Sequence, residues 1–409
     1  MKVLILGLVW PEPTSSAAGS RMMQIVELFQ SLNWEVNFAC AATKSEFSID
    51  FSTLKIEEYS IKINDSSFDI FVRDLKPDLV VFDRFMVEEQ FGWRVAENCP
   101  NALRVLDTED LHCLRKGRQE ALKQNEKFTE KFLINDYAKR EIASIYRCDL
   151  SLIISEVEMS YLINFFGVPS RLLIYLPFMV DALTETITKG WALFEDRSDF
   201  VTIGNFRHEP NWDAIKYLKM DIWPRIRKQL PDAKLKVYGS YPSQKLTQLN
   251  NYKEGFLIMG KAKSAFEVIG NAKVLLAPLR VGAGLKGKLL EAMQCGTPSM
   301  TTTVGAEGMN GNMNFKESIE DNPVSFADNA AELYQNKATW QTAQENGIQI
   351  INSRFLKSYW FPVAIDRIND TFSNLENHRL QNFTGTMLQH QSLQATKFMS
   401  KWIEEKNKD

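Results

Sequence analysis

Short, continuous apolar runs recur along the chain, each followed by a longer stretch whose apolar residues repeat at helical spacing. Runs such as Val3-Leu-Ile-Leu6 and Val274-Leu-Leu-Ala277 are too short for helices and carry no polar alternation, so they read as strands buried on both faces. In the first half this rhythm predicts strands at 2–9, 35–40, 79–83, 102–106, 149–154 and 171–176. Helices are expected at about 19–32, before Pro77, and at 88–98, 115–147 and 156–166. The rhythm restarts with strands at 199–204, 234–239, 256–259, 273–277 and 298–302. Helices fall at 211–229, near 243–250, and at 263–270, 285–295 and 327–350. Alternation of this kind predicts an α/β chain of two doubly wound, Rossmann-like domains in series. The expected divisions are an N-terminal domain at 1–181, a linker at 182–198, a C-terminal domain at 199–353 and a helical segment at 354–409. Ligands of such sheets bind at the carboxyl ends of the strands, so the site is expected in a cleft between the two domains.

The most informative segment is Ala277-Pro-Leu-Arg-Val-Gly-Ala-Gly-Leu-Lys-Gly-Lys-Leu-Leu-Glu-Ala-Met-Gln-Cys-Gly-Thr-Pro298. It reads as a strand end, a glycine loop, a helix whose apolar face carries Leu285, Leu289 and Met293, and a stop at Gly296-Thr-Pro298. A helix N-terminus attracts an anion through its free amides and its dipole, and Lys286 and Lys288 in the first turn oppose that dipole unless a negative ligand is present. Gly282, Gly284 and Gly287 also spell G-x-G-x-x-G, with Glu307 further on, so a dinucleotide-binding oxidoreductase is a competing reading. Against it, the glycines start several residues past the strand and Glu307 lies beyond the next one.

Gly282-Ala-Gly-Leu-Lys286, Glu291-Ala-Met293 and Thr302-Thr-Val-Gly-Ala-Glu-Gly308 together resemble the donor-site signature of retaining glycosyltransferases of the GT-B fold, group 1 type. Ile203-Gly-Asn-Phe-Arg-His-Glu-Pro-Asn-Trp-Asp-Ala214 resembles the opening strand and loop of the C-terminal domain in the same enzymes. The resemblance implies a metal-independent, retaining transferase without a cofactor. It would move sugar from a nucleotide sugar to a hydroxyl of a glycan, lipid-linked or other acceptor. It also implies roles for residues. Gly282, Ala283, Gly284, Leu285, Lys286 and Gly287 would hold the donor phosphates, Lys286 would stabilise the departing nucleoside diphosphate, and Glu291 would bind the ribose hydroxyls, a diol that a carboxylate suits. The commoner family motif is Glu-x7-Glu, and here Ala283 stands where the first glutamate would be. Asn205 and Pro210 stand near positions where many relatives carry Arg and Lys, so Arg207 is a catalytic candidate in their place and His208 a further cleft residue. This departure motivates a second reading, an inactive GT-B subunit that binds a nucleotide sugar or glycan.

On the N-terminal side, Ser15-Ser-Ala-Ala-Gly-Ser-Arg21 corresponds to the family's glycine-containing loop, with Gly19, Ser20 and Arg21 expected near donor phosphate and acceptor. Asp107-Thr-Glu-Asp-Leu-His112 gathers titratable groups at a strand end, and the resemblance implies an acid or histidine there near the acceptor hydroxyl, which makes Asp110 and His112 catalytic candidates. Ser155-Glu-Val-Glu158 reads as a capping box. The charged stretch from Arg115 to Arg140 reads as a solvated face.

Composition narrows the partners. A net charge of −3 gives no basic field, so nucleic acid is not expected as the main partner. Five cysteines, widely spaced and never in C-x-x-C, argue against a disulfide framework or structural zinc and for a reduced, cytoplasmic protein. The opening apolar run reads as a strand, since Pro11-Glu-Pro13 replaces a leader's cleavage site. The last segment puts Leu388, Ala395, Phe398, Met399 and Trp402 on one helical face. That face is expected to pack on the N-terminal domain, with peripheral contact at the inner membrane surface, aided by Lys397 and Lys401, as the alternative.

Overall fold

The computed structural model describes residues 1–407, apart from the side chains of 391–393. The first half contributes β1 (Lys2–Gly7), β2 (Glu35–Cys40), β3 (Glu57–Ser60), β4 (Leu79–Asp83), β5 (Leu103–Asp107), β6 (Leu150–Ile153) and β7 (Leu173–Tyr175). All pair in parallel, in the order β3-β2-β1-β4-β5-β6-β7. Between them run α1 (Ala17–Gln30), α2 (Ser67–Leu75), α3 (Phe85–Asn98), α4 (His112–Lys123), α5 (Asp136–Arg147) and α6 (Glu156–Ser160). Successive residues of a strand face opposite ways. Leu4, Leu6, Val80 and Phe82 therefore enter one hydrophobic cluster, and Val3, Ile5, Leu79 and Val81 another on the far side of the sheet.

The second half holds α7 (Glu185–Thr188), β8 (Ser198–Ile203), α8 (Glu209–Tyr217), α9 (Trp223–Gln229), β9 (Leu235–Tyr238), α10 (Gln244–Thr247) and β10 (Phe256–Gly260). There follow α11 (Ala265–Gly270), β11 (Ala272–Ala277), α12 (Gly287–Gln294), β12 (Ser299–Thr301), α13 (Thr303–Ala306), α14 (Pro323–Gln335) and α15 (Lys337–Arg354). This sheet is also parallel, ordered β10-β9-β8-β11-β12. Two doubly wound sheets, each reversing strand order beside its first strand, are the architecture the apolar rhythm predicts.

Three elements differ from the sequence pattern. Strand β3, Glu57-Glu-Tyr-Ser60, has no apolar signal because it is an edge strand held by its backbone to β2. The long helix expected at 115–147 is two, and the Asn135 side chain accepts from Ala138 N at 3.1 Å to start the second. The helix expected at 327–350 also breaks, at Asn336, which caps α15 through Ala338 N at 3.0 Å.

The chain then returns to the first sheet through α16 (Lys357–Ser373), α17 (Leu375–Leu380) and α18 (Phe383–Lys406). Ala364 and Ile368 of α16 join the cluster containing Val3 and Ile5. Arg379 grips the buried Asp149 with two hydrogen bonds of 2.8 Å. Replacing Arg379 with alanine leaves that carboxylate only the backbone N of Arg104, at 2.8 Å, and the Arg104 guanidinium, at 3.6 Å, so urea unfolding should show a loss of about 2–4 kcal/mol.

Helix α18 docks through a face other than the expected one. Its contacts are polar: Asn382 Nδ2 to Tyr146 O at 2.8 Å, Gln389 Nε2 to Arg147 O at 2.9 Å, and Arg94 Nη2 to Ser400 Oγ at 3.1 Å. The surface it covers presents the carbonyls that end α5 and a guanidinium, which call for polar partners. Phe398, Met399 and Trp402 are left 62%, 58% and 60% exposed, Ala395 is exposed and Leu388 half-buried. Among the described residues no helix is long and apolar enough to cross a membrane.

Candidate active site in the cleft between the sheets

The carboxyl ends of both sheets face one cleft of about 530 Å³, within the range of ligand sites. From the N-terminal side it is lined by the loop Val9–Gly19 after β1, Asp83 and Arg84 after β4, and Glu109, Asp110, His112 and Arg115 after β5. From the other side come residues after β8 (Gly204 to Asn211), Tyr241, Lys261 and the run Val281–Lys288 with Glu291.

Helix α12 opens into this cleft with no side-chain cap and no acid in its first turn, so its leading amides lack the partners a helix start normally finds. Gly287 is there because α1 begins opposite: a Cβ on it would lie 2.6 Å from Ala17 Cβ, so two helix N-termini meet at one point. Gly284, at φ 62°, takes the left-handed conformation that turns the loop back, and a Cβ on it would press on Asp110 and Ile154. Lys286 is buried and donates to Ala283 O at 2.9 Å and Gly284 O at 2.6 Å, with no carboxylate among the described residues bonded to it. Burial pulls its ammonium below the ordinary lysine range. Lys288 donates to Asn211 Oδ1 at 2.8 Å and is pulled down to about 8, again by burial. Two lysines thus stand at the start of α12, where it meets the start of α1, with no carboxylate hydrogen-bonded to either among the described residues.

Glu291 lies one turn deeper, half-buried in the cleft wall, and desolvation pushes its carboxyl up to about 7 against the attraction of Lys288. Folding therefore favours its protonated form, and the ligand-free protein loses stability as pH rises from the ordinary glutamate value toward 7. Glu291→Gln should melt like the parent at pH 5 and be more stable at pH 8 by about 1–2 kcal/mol, which paired thermal melts will show.

The N-terminal wall keeps some of the expected residues and moves others. His112 is the first residue of α4; Glu141 accepts from its backbone N at 2.7 Å and lies 3.1 Å from its Nδ1, while the ring stacks on Tyr137. Asp110 accepts from Arg115 at 2.5 Å, and its other oxygen, buried without a hydrogen bond, is 3.4 Å from His112 Nδ1. Gly19 lines the cleft, but Ser20 and Arg21 do not. Helix α1 starts at Ala17 with Ser16 as its cap, so both lie inside the helix. Ser20 Oγ donates back to Pro13 O at 3.0 Å, and the buried Arg21 spends its guanidinium on Asp107 at 2.9 Å and Leu176 O at 2.8 Å. A cation near the start of α1 opposes the helix dipole, and that buried carboxylate, in place of a ligand, answers it.

Across the cleft, Ala283 and Leu285 are buried in the loop, and Ala283 packs into the N-terminal hydrophobic cluster. Arg207 and His208 lie exposed at the rim, with the Arg207 guanidinium 3.7 Å from the Tyr241 ring centroid. The Tyr241 hydroxyl donates to Glu12 at 2.8 Å, joining the two sides.

Two further residues take roles other than those their local sequence predicts. The Ser155 hydroxyl caps Val157 N at 3.3 Å, but Glu158 does not complete a capping box. Fully buried, its Oε1 accepts from Leu111 N and Gly284 N, both at 2.8 Å, tying the glycine loop to the N-terminal domain. Burial and nearby Asp110 raise its carboxyl. Arg118 also leaves the solvated face expected of its segment: it is buried and donates to Gly282 O at 2.8 Å and to Glu307 at 2.5 Å. Glu307, the acid of the dinucleotide reading, is thus consumed by an interdomain ion pair, and β11 ends at Ala277, well before Gly282.

The family description "Glycosyl transferases group 1" matches residues 197–336, which contain β8 to β12 and the whole of α12. This segment is a group 1 glycosyl transferase domain. No curated protein sequence matches the chain. Solved structures do. Sucrose-phosphate synthase from Thermosynechococcus elongatus superposes with TM-score 0.67 at 14% identity, over 91% of this chain and 100% of that one. TarM of S. aureus, in a complex that contains UDP, gives 0.67 at 10% identity over 91% and 99%. Anabaena HepE with UDP and glucose gives 0.63 at 13% over 90% and 99%. The group 1 glycosyl transferase domain and the seven-stranded domain facing it together have the GT-B fold.

Proposed function

We propose that the protein is a glycosyltransferase that moves a sugar from a nucleoside-diphosphate sugar to an acceptor hydroxyl in the cleft, with retention of anomeric configuration. The observation that carries this reading is the uncapped start of α12 bearing Lys286 and Lys288, set against the start of α1, with Glu291 one turn deeper. In the transfer, the bond from the sugar's anomeric carbon to the phosphate oxygen breaks and a bond to the acceptor oxygen forms on the same face. The acceptor proton passes to the departing phosphate. Charge grows on that phosphate, where Lys286, Lys288 and the α12 amides supply donors fixed in advance. They provide the positive charge that a metal ion brings in other transferases, so activity is expected to survive EDTA. Glu291 accepts two hydrogen bonds from the ribose diol.

Melting temperature is to be followed against nucleoside diphosphates, nucleotide sugars and NAD(P), since a ligand of the folded state raises it. A rise with one nucleotide family, abolished by Glu291→Ala and accompanied by sugar transfer, supports the reading. Binding without turnover for any acceptor favours a non-catalytic subunit, and a rise with NAD(P) alone overturns both. The reading includes a peripheral lipid contact through α18, where Phe398, Met399 and Trp402 stand exposed next to Lys401 and Lys406. Sedimentation with anionic vesicles, lost in Trp402→Glu, tests it.

A further inference from the structure

The two walls of the cleft carry opposite charge. The C-terminal wall presents Arg207, Lys261, Lys286 and Lys288 against Glu291, whereas the N-terminal wall presents Glu12, Asp83, Glu109 and Asp110 against Arg84 and Arg115. Diphosphate belongs on the first. The second faces the position where an acceptor must enter, because a Cβ on Gly284 of the phosphate loop would lie 3.1 Å from Asp110 Cβ and 3.6 Å from Glu109 O.

Two residues of that wall are held in costly backbone conformations. Arg84 sits at φ 72°, ψ 159°, a region that belongs almost wholly to glycine, and Glu109 at φ 62°. They come from the tips of neighbouring strands β4 and β5 and converge, with Arg84 Nε 3.9 Å from Glu109 Oε2 and 3.5 Å from Asp83 Oδ1. Neither distance is a hydrogen bond. Among the described residues, no protein atom hydrogen-bonds the Arg84 guanidinium or the Glu109 carboxylate, and Arg84 Nε is buried without a partner. By contrast one oxygen of Asp110 is taken by Arg115, and Glu12 accepts from Tyr241.

We propose that Arg84 and Glu109 form the acceptor subsite, and that the acceptor group they hold is an uncharged, hydroxyl-rich sugar. This rests on the glycosyltransferase reading and names the substrate class of its second site. A fork of N–H donors beside a carboxylate matches a vicinal diol, whose hydroxyls both accept and donate. A phosphate or carboxylate on the acceptor would enter a wall with four carboxylates and two guanidiniums, and like-charge approach selects against it.

The test uses the full chain with the nucleotide sugar that raises its melting temperature. Transfer is measured to a panel of neutral mono- and disaccharides and to their 6-phosphate and uronic acid counterparts. Neutral sugars should be glycosylated with kcat/KM at least about ten-fold above the charged forms. Glu109→Gln should raise acceptor KM about ten-fold with donor KM held within two-fold, and should narrow the discrimination against charged acceptors. Arg84→Gly should raise acceptor KM while raising Tm, because glycine relieves the strained backbone; a merely structural Arg84 would give a lower Tm. Preference for a charged acceptor, no transfer to the neutral panel, or unchanged acceptor KM in both variants overturns the subsite. Failure of every nucleotide sugar to bind overturns the transferase reading itself and the subsite with it.

Discussion

Lys286→Ala should lower kcat/KM for sugar transfer by about 10²–10³-fold while leaving the protein as stable as before. The two halves of that expectation have one cause. In the ligand-free cleft the ammonium is buried against the carbonyls of Ala283 and Gly284, without a carboxylate among the described residues bonded to it. Such a charge is held out of water at a cost to folding, so its removal does not weaken the ligand-free state. Its compensation comes when negative charge grows on the departing phosphate. Steady-state kinetics with varied donor, together with thermal melts of the free variant, measure both halves. A large fall in Tm with a proportionate fall in activity would show that Lys286 serves the loop and not the reaction.

Glu158→Ala should destabilise the chain by about 2–5 kcal/mol and separate the two domains, whereas Glu158→Gln should stay close to the parent. The Glu158 Oε1 atom accepts from Leu111 N in the N-terminal domain and from Gly284 N in the glycine loop, and alanine leaves both amides without an acceptor. Glutamine keeps an acceptor oxygen in the same place. It also removes an ionisable group whose carboxyl is raised by burial, so the glutamine variant gains relative stability as pH rises above the ordinary glutamate range. Urea unfolding at pH 5 and pH 8 gives both comparisons. Small-angle scattering of the alanine variant reads the opening of the cleft. An alanine variant as stable and as compact as the parent would remove Glu158 from the interdomain contact.

Much of this molecule is written locally. The apolar runs are strands because a parallel sheet covered on both faces needs uninterrupted apolar residues, and all eleven runs read as strands pair beside their neighbours with little ambiguity of register once the alternate residues of each go to opposite cores, as in β1. The glycine loop is legible for a similar reason: Gly284 and Gly287 answer to turn geometry and close helix approach, and the lysines next to them conflict with the helix dipole within one turn. What the sequence alone left open is whatever depends on a partner far along the chain. Arg21 shows the same dipole conflict as Lys286, yet a carboxylate at Asp107 satisfies it, and only the packing of α1 on β5 distinguishes the two cases. Glu158 has the spacing of a capping box and instead bridges Leu111 and Gly284; Arg118 has the setting of a solvated helix and instead grips Glu307. Helix α18 turns polar residues inward because the surface it meets is made of carbonyls and a guanidinium. The sequence by itself determined two parallel α/β domains and a glycine loop that opens a lysine-bearing helix, since strand burial, turns and helix starts are set by residues within one or two turns of each other. Tertiary structure decided which charges are free to meet a ligand, because a charge is spent or available according to what the rest of the chain brings within hydrogen-bond reach.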